Sequence, residues 1–314
     1  MGKLEEKELV KVATMYYEEG LTQAEIAKKM GVSRSLISKM IIDAKKDGIV
    51  EVFIKSDTAY TVDLERKLEE KYQLKGAVVV DTAHLNDNEI ETIISQTAAL
   101  YLKKISKDVK SIGVSWGGSL RKMIDCFPYT NQKDTVVYPL VGGVGDEHVE
   151  VQANQLCSDL ARKMRGQNKY LYAPISVRNP QLKKEILSIQ SLSNVLEEAK
   201  EVDLALVGLA NPFKNSTMEK LGYINEEIKE ELEKCRVKGD INWRFFDENG
   251  QENGIELNQN IIGVELADLK KIPKIFAIVY GEEKVEPIHL ALENKLLNII
   301  VTTDKVAEEL LVKE

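Results

Sequence analysis

From residue 76 to the C-terminus, short continuous apolar runs alternate with longer stretches of helical periodicity, and this constrains the fold more than any other feature. The runs are GAVVVD (76–81), VKSIGVS (109–115), TVVYPL (135–140), KYLYAP (169–174), VDLALVGL (202–209), KIFAIVY (274–280) and LLNIIVTT (296–303). Between them lie amphipathic segments such as NEIETIISQTAALYLKKI, VEVQANQLCSDLARKM, NEEIKEELEKC, KVEPIHLALENK and DKVAEELLVK. Apolar runs that do not alternate belong to strands buried on both faces, which implies an α/β fold with a mostly parallel, doubly wound sheet. In such sheets ligands sit beyond the carboxyl ends of the strands, so chemistry is sought in the loops that follow them.

The chain has 314 residues, 43% hydrophobic and 30% charged, with only 7 prolines, which excludes disorder as its main state. No apolar run approaches the ~20 residues of a membrane span. The N-terminus has neither an apolar signal core nor transit character, so a cytoplasmic protein without a membrane partner is expected. Cys126, Cys157 and Cys235 fit neither a disulfide framework nor a zinc spacing, so reduced thiols and no metal site are expected.

The net charge of −8 hides an asymmetry. Residues 1–55 hold 10 basic against 9 acidic side chains and net +1, leaving −9 for the rest. Within them, 28–46 carries Lys28, Lys29, Arg34, Lys39, Lys45 and Lys46 against the single acid Asp43, a net of +5. A basic stripe on an acidic body suits a phosphate backbone. The same segment, TQAEIAKKMGVSRSLISKMIIDAKK, reads as two short helices and a turn. Thr22 is an N-cap with Glu25 completing a capping box, Gly31 ends the first helix, and Ser33 caps the second. Leu36, Ile37, Met40 and Ile41 form the apolar stripe of the second helix, while Arg34, Ser35, Ser38 and Lys39 form a free polar face. This is a helix-turn-helix pattern, with Thr22, Gln23, Ser33, Arg34, Ser35, Ser38 and Lys39 assigned to operator DNA. A preceding helix in LVKVATMYYEEGL and a short strand in GIVEVFIK complete a winged unit over 1–55. Residues 56–61 read as a linker, and 56–314 as the second domain.

Three places in that domain suit a ligand. GVSWGGSL (113–120) runs from a strand end through Ser115, Trp116, Gly117, Gly118 and Ser119 into a helix, where backbone amides, hydroxyls and the helix dipole favour an anion. It matches neither the Walker nor the Rossmann glycine pattern, and a plain tight turn is the alternative. VGGVGD (141–146) offers Gly142, Gly143 and Gly145 for close backbone approach. Late in the chain, GDINWRFFD (239–247) brings Asp240 near Arg244, and GEEKVEPI (281–288) sets Lys284 at a helix start. An Arg and a Lys there suit phosphate or carboxylate, and Asp240 suits hydroxyls.

These segments, with GGVGDEHVEVQANQL and VEPIHLALENKLLNIIVTTDKVAEELL, resemble the SorC family of sugar-responsive transcriptional regulators over nearly the whole chain. The resemblance implies a winged helix-turn-helix joined to a domain similar to glucosamine-6-phosphate deaminase and ribose-5-phosphate isomerase, assembled as a homotetramer. It implies that an effector's phosphate meets Ser115, Gly117, Gly118, Ser119 and Lys284, and its sugar meets Gly142, Gly143, Asn154, Asp240 and Arg244. The chain departs from the family pattern at Glu282, where a second glycine is common. The expected function is a DNA-binding regulator of carbohydrate metabolism controlled by a phosphorylated sugar, with no cofactor and no catalytic residue. The alternative is a sugar-phosphate isomerase or deaminase using Asp146, Glu147 or His148 as acid or base, for which a fused helix-turn-helix would have no use.

Overall fold

Six of the seven apolar runs become strands of two sheets in a computed structural model that describes residues 3–50, 56, 58–214, 216–252 and 254–313. The chain divides into two compact units, 1–59 and 60–314.

In the first unit, helix α1 (Lys3–Ala13) runs on as one π turn over Thr14–Glu18, followed by α2 (Gln23–Met30) and α3 (Arg34–Lys46). The local chemistry is what the sequence demands. The Thr22 hydroxyl accepts the Glu25 amide while the Glu25 carboxylate accepts the Thr22 amide, a reciprocal cap that fixes where α2 starts. Gly31 ends α2 at φ +70°, and the Ser33 hydroxyl accepts the Leu36 amide to start α3. Val12, Met15, Ile26, Ile37 and Ile41 close the core. Leu36 does not join the apolar stripe assigned to it. It is 44% exposed, because the turn of α3 that packs inward is centred on Ile37, Ile41 and Ala44. The strand expected in GIVEVFIK falls on residues 51–55, outside the described residues.

Helix α4 (Ala59–Tyr72) begins inside the segment read as a linker, so the helical spacing of Leu64, Leu68 and Tyr72 extends two residues further back than its apolar periodicity shows. Seven strands then form an all-parallel sheet: β1 (Gly76–Val80), β2 (Ser111–Val114), β3 (Val136–Pro139), β4 (Gln167–Asn168), β5 (Leu204–Val207), β9 (Lys274–Ile278) and β10 (Ile299–Thr303). Their order is β1-β10-β9-β5-β2-β3-β4. Helices α5 (Asp87–Ile105), α6 (Gly118–Cys126) and Ala153–Met164 cover one face; α4 and the helices Val285–Glu293 and Asp304–Val312 cover the other. Consecutive residues serve opposite faces, as a period of two requires: Leu204, Leu206, Phe276 and Ile278 pack on one side, and Ala205, Val207, Ile275 and Ala277 on the other. This is the doubly wound arrangement the uninterrupted apolar runs require.

Two segments differ from expectation. The strand read in KYLYAP is only the two-residue edge strand β4 just before it. Past Lys169 the chain leaves β3, and Tyr170 and Tyr172 stack on each other in solvent, with centroids 5.6 Å apart. GDINWRFFD is a tight hairpin, β7 (Gly239–Ile241) and β8 (Arg244–Phe246), which joins β6 (Leu209–Ala210) in a three-stranded antiparallel sheet.

The central strand β5 makes a direct test possible. Leu206 is fully buried between β2 and β9, and Leu206→Ala should cost about 3 kcal/mol, read as a lowered midpoint in urea unfolding followed by circular dichroism.

Candidate functional site

Strands β9, β5 and β2 are neighbours in the sheet, so the loops at their carboxyl ends are forced together. The loop after β2 carries Trp116, Gly117, Gly118 and Ser119. Gly208 and β6 follow β5, and the turn Glu282–Lys284 follows β9. With Asp240 from the hairpin and Thr217 and Met218 from a short helix, these residues line one cleft. The topology thus unites Trp116, Gly117, Gly118, Ser119, Asp240 and Lys284, residues spread over 169 positions of sequence.

Gly117 takes φ +128°, a backbone that side chains rarely adopt, and this lets α6 begin abruptly at the cleft. No side chain caps α6, and a Cβ built on Gly117 or Gly118 would meet only open space, so the first amides of the helix face the cleft with room for a ligand. Ser115 lies just behind, fully buried, its hydroxyl without a hydrogen-bond partner among the described residues.

The charged pair on the facing walls is placed at a cost. Asp240 is 5% exposed and its Oδ1 has no partner among the described residues. Burial pushes its carboxyl up to about 7, against the attraction of Lys284 and a hydrogen bond from the Trp243 amide. Burial likewise pulls the Lys284 ammonium below its ordinary value, with Lys220 adding repulsion and Glu283, Asp240 and Glu91 opposing the shift. Lys284 lies over the Tyr280 ring, 5.4 Å from its centroid, and has no carboxylate within ion-pair distance among the described residues. Desolvation therefore outweighs mutual attraction for both groups; an anion would satisfy the Lys284 ammonium, and a hydroxyl donor would satisfy the Asp240 carboxyl.

Other residues assigned to the effector lie elsewhere. Arg244 is a correction. It is 2% exposed and sits across β8 from the Asp240 side of the hairpin, since Asp240 pairs with Phe245 and Arg244 with Ile241. Its guanidinium donates to the carbonyls of Asn258, Ile261 and Gly263 and to Glu252, so it holds the 258–263 turn and only its buried Nε is without a partner among the described residues. Asn154 is also spent: its amide donates to the Leu171 carbonyl and its oxygen accepts the Leu171 amide. Gly142 is pressed against the backbone of 173–174, where a Cβ would come within 2.5 Å of the Pro174 oxygen. Only Gly143 of that pair reaches open space, a chamber beside the cleft that shares Met218 with it. Asp146, Glu147 and His148, the candidates for acid–base chemistry, lie on an exposed loop outside the cleft lining.

Sequence reasoning passed over Thr217, Met218 and Tyr223, which sit in the helical insertion between β6 and β7; a Met and a Tyr there carry no signal distinct from ordinary core. In the first unit, Arg34, Ser35 and Lys39 are exposed on α3 and Ser38 is half-buried. Ile42, not singled out by its sequence, is 62% exposed one turn beyond Lys39 and two beyond Ser35. Thr22 is occupied by its cap, Gln23 is half-buried at the first turn of α2, and the Ser33 and Ser35 hydroxyls lie 2.9 Å apart.

The buried carboxyl gives a pH signature. Asp240 rises from an ordinary 3.8 to about 7, so folding loses stability as pH increases from about 4 through 7 and the loss is complete above that. Asp240→Asn should therefore stabilise the ligand-free protein by about 2–4 kcal/mol at pH 8 and by almost nothing near pH 4, measured as denaturant midpoints across that range.

Comparison with known proteins assigns this architecture. Residues 56–312 match the family model described as "Putative sugar-binding domain", and residues 1–45 match the model for sigma-70 region 4. The sorbitol operon regulator of Klebsiella pneumoniae is 30% identical over 305 residues, covering 96% of this chain and 97% of that protein. Among solved structures, a DeoR family transcriptional regulator from Listeria monocytogenes is 43% identical, with a TM-score of 0.76 over 80% of this chain and 99% of that one. The full-length sorbitol operon regulator SorC from Klebsiella pneumoniae is 30% identical, with a TM-score of 0.74 over 97% of this chain and 98% of that one. With a helix-turn-helix in its first unit and a sugar-binding domain in its second, the chain belongs to the SorC family of transcriptional regulators and is a regulator, not an enzyme.

Proposed function

We propose that this regulator controls carbohydrate metabolism by binding operator DNA with an affinity set by a phosphorylated sugar held in the cleft of residues 60–314. The observation that carries the reading is the convergence, in one cleft, of the uncapped start of α6, the unpaired Lys284 ammonium and the buried Asp240 carboxyl. A phosphate dianion accepts from the amides at Gly118 and Ser119 and from Lys284, the charge-assisted kind of hydrogen bond that gains most where water is excluded. Asp240 then takes a hydroxyl of the sugar. The effector is held without covalent attachment: neither glycine loop contains a lysine, and Lys284 is needed as a cation for phosphate.

On the DNA side, Arg34, Ser35, Ser38 and Lys39 read base edges in the major groove, and the exposed Ile42 supplies an apolar contact of the kind made to a thymine methyl. Ser33, Thr22 and Gln23 lie at helix starts suited to backbone phosphates. We extend the proposal to residues 1–55 as the DNA-binding domain and 56–314 as the effector and assembly domain of a cytoplasmic homotetramer. Exposed apolar side chains on the second unit, Leu100, Tyr129 and Tyr172, support assembly.

Two measurements test this reading. Lys284→Ala should weaken a phosphorylated sugar by about a hundredfold in titration calorimetry while leaving its unphosphorylated parent within a few-fold; equal losses for both would remove the phosphate from the cleft. The double substitution Arg34→Ala, Lys39→Ala should abolish specific operator retardation in a gel-shift assay at moderate salt, because each base-contacting side chain carries roughly 1–3 kcal/mol of discrimination. Unchanged retardation would reassign the polar face of α3.

A further inference from the structure

The apolar run KIFAIVY ends on an aromatic residue that lies just past β9 and directly before the Gly281 turn carrying Lys284. This residue, Tyr280, is held at both ends. Its ring packs against the core shared by the sheet and helices α5 and α6. Its hydroxyl donates to Glu91 of α5 at 3.3 Å, and Glu91 is in turn ion-paired with Lys122 of α6. Burial and the Glu91 charge push the phenol up to about 12, so it stays a neutral donor. The Ser119 side chain also hydrogen-bonds to it.

Lys284 rests over the face of this ring, its ammonium 5.4 Å from the centroid. Tyr280 therefore touches both sides of the anion site, Ser119 at the start of α6 and Lys284 across the cleft. Left to itself, the lysine would not stay open to an anion. Its stem is flexible, and its ammonium is attracted by Glu283, Asp240 and Glu91 and repelled by Lys220. The Glu283 carboxylate is close at hand, folded over Gly281, where a Cβ would meet its two oxygens at 2.7 and 2.8 Å. An ammonium that swung onto Glu283 or Asp240 would be neutralised, and an incoming anion would first have to break that pair. The ring supplies an attraction that needs no carboxylate and leaves the charge available.

We infer that Tyr280 is the positioning residue of the anion site: its ring holds the Lys284 ammonium out of pairing with Glu283 and Asp240, and its hydroxyl fixes the Ser119 side chain. The inference rests on the phosphate reading of the cleft and adds what keeps that site open before the ligand arrives.

Inorganic phosphate is the probe, titrated into the intact chain at constant ionic strength and followed by the fluorescence of Trp116 and Trp243, its 2 tryptophans. Tyr280→Met fills the same space without a ring. It should weaken phosphate about tenfold, the size of a desolvated cation–π contact. It should also move the alkaline loss of binding, where Lys284 gives up its proton, upward by about one pH unit, because the ammonium then gains a carboxylate partner. Tyr280→Phe keeps the ring and should lose no more than about threefold, the share of the hydroxyl, with the alkaline limb unmoved. Tyr280→Leu takes the place of the methionine variant if circular dichroism shows the latter unfolded. The inference is overturned by ringless variants that bind as tightly as the unaltered protein, or by a phenylalanine variant that loses as much as they do. It is equally overturned by weaker binding with an unmoved alkaline limb, which marks a packing defect. If Lys284→Ala still weakens phosphate in those cases, the phosphate reading stands alone. If Lys284→Ala leaves phosphate binding unchanged, or inorganic phosphate does not bind, both readings fall.

Discussion

A parallel strand buried on both faces has spent its side chains on packing and its backbone on its neighbours, so only its ends remain for chemistry. In this protein β9, β5 and β2 lie side by side, and Leu206, Val114 and Phe276 are fully buried along them. Register between the three strands is what aligns the loop at Gly117, the chain at Gly208 and the turn at Lys284. Were β5 to slip by one residue, Leu206 would exchange faces with Ala205 and Val207, and the cleft would be dismantled together with the core.

Against that rigid floor the site stores unfavourable terms. Asp240 and Lys284 are buried beyond what their attraction repays, the Ser115 hydroxyl has no partner among the described residues, and Trp243 occupies a turn position that suits glycine. Each is a cost to the unliganded fold: Lys284 is placed to gain from an anion, and Asp240 and Ser115 from groups that hydrogen-bond to them. A regulator benefits from this arrangement, because a ligand that binds one state preferentially shifts the population by its differential affinity for that state.

Much of this was legible in the sequence, for local reasons. Caps depend on side chains three residues apart, so Thr22 with Glu25 and Ser33 before Leu36 could be placed from spelling alone. The glycine loop and Lys284 could be paired because both follow continuous apolar runs, and strand ends share an edge in a parallel sheet. Arg244 was not legible: four positions from Asp240 in sequence, it falls on the other face of a hairpin whose two-residue turn no periodicity announces, and three carbonyls consume it. The Asn154 contact failed likewise, because its partner Leu171 lies beyond a strand much shorter than its apolar run suggests. The chamber was invisible because Met218, Tyr223 and Ile228 spell an ordinary amphipathic insertion, and only the fold turns them toward an open space.

The central claim is that phosphate is bound by the start of α6 facing Lys284. Amide hydrogen exchange of residues 115–121, followed with and without a phosphorylated sugar, tests it most directly. The account predicts strong protection of the amides at Gly118 and Ser119 by the phosphorylated compound, none by its unphosphorylated parent, and loss of that protection in Lys284→Ala. Protection confined to the 258–263 turn around Arg244, or protection at Gly118 and Ser119 that ignores the phosphate, would contradict it.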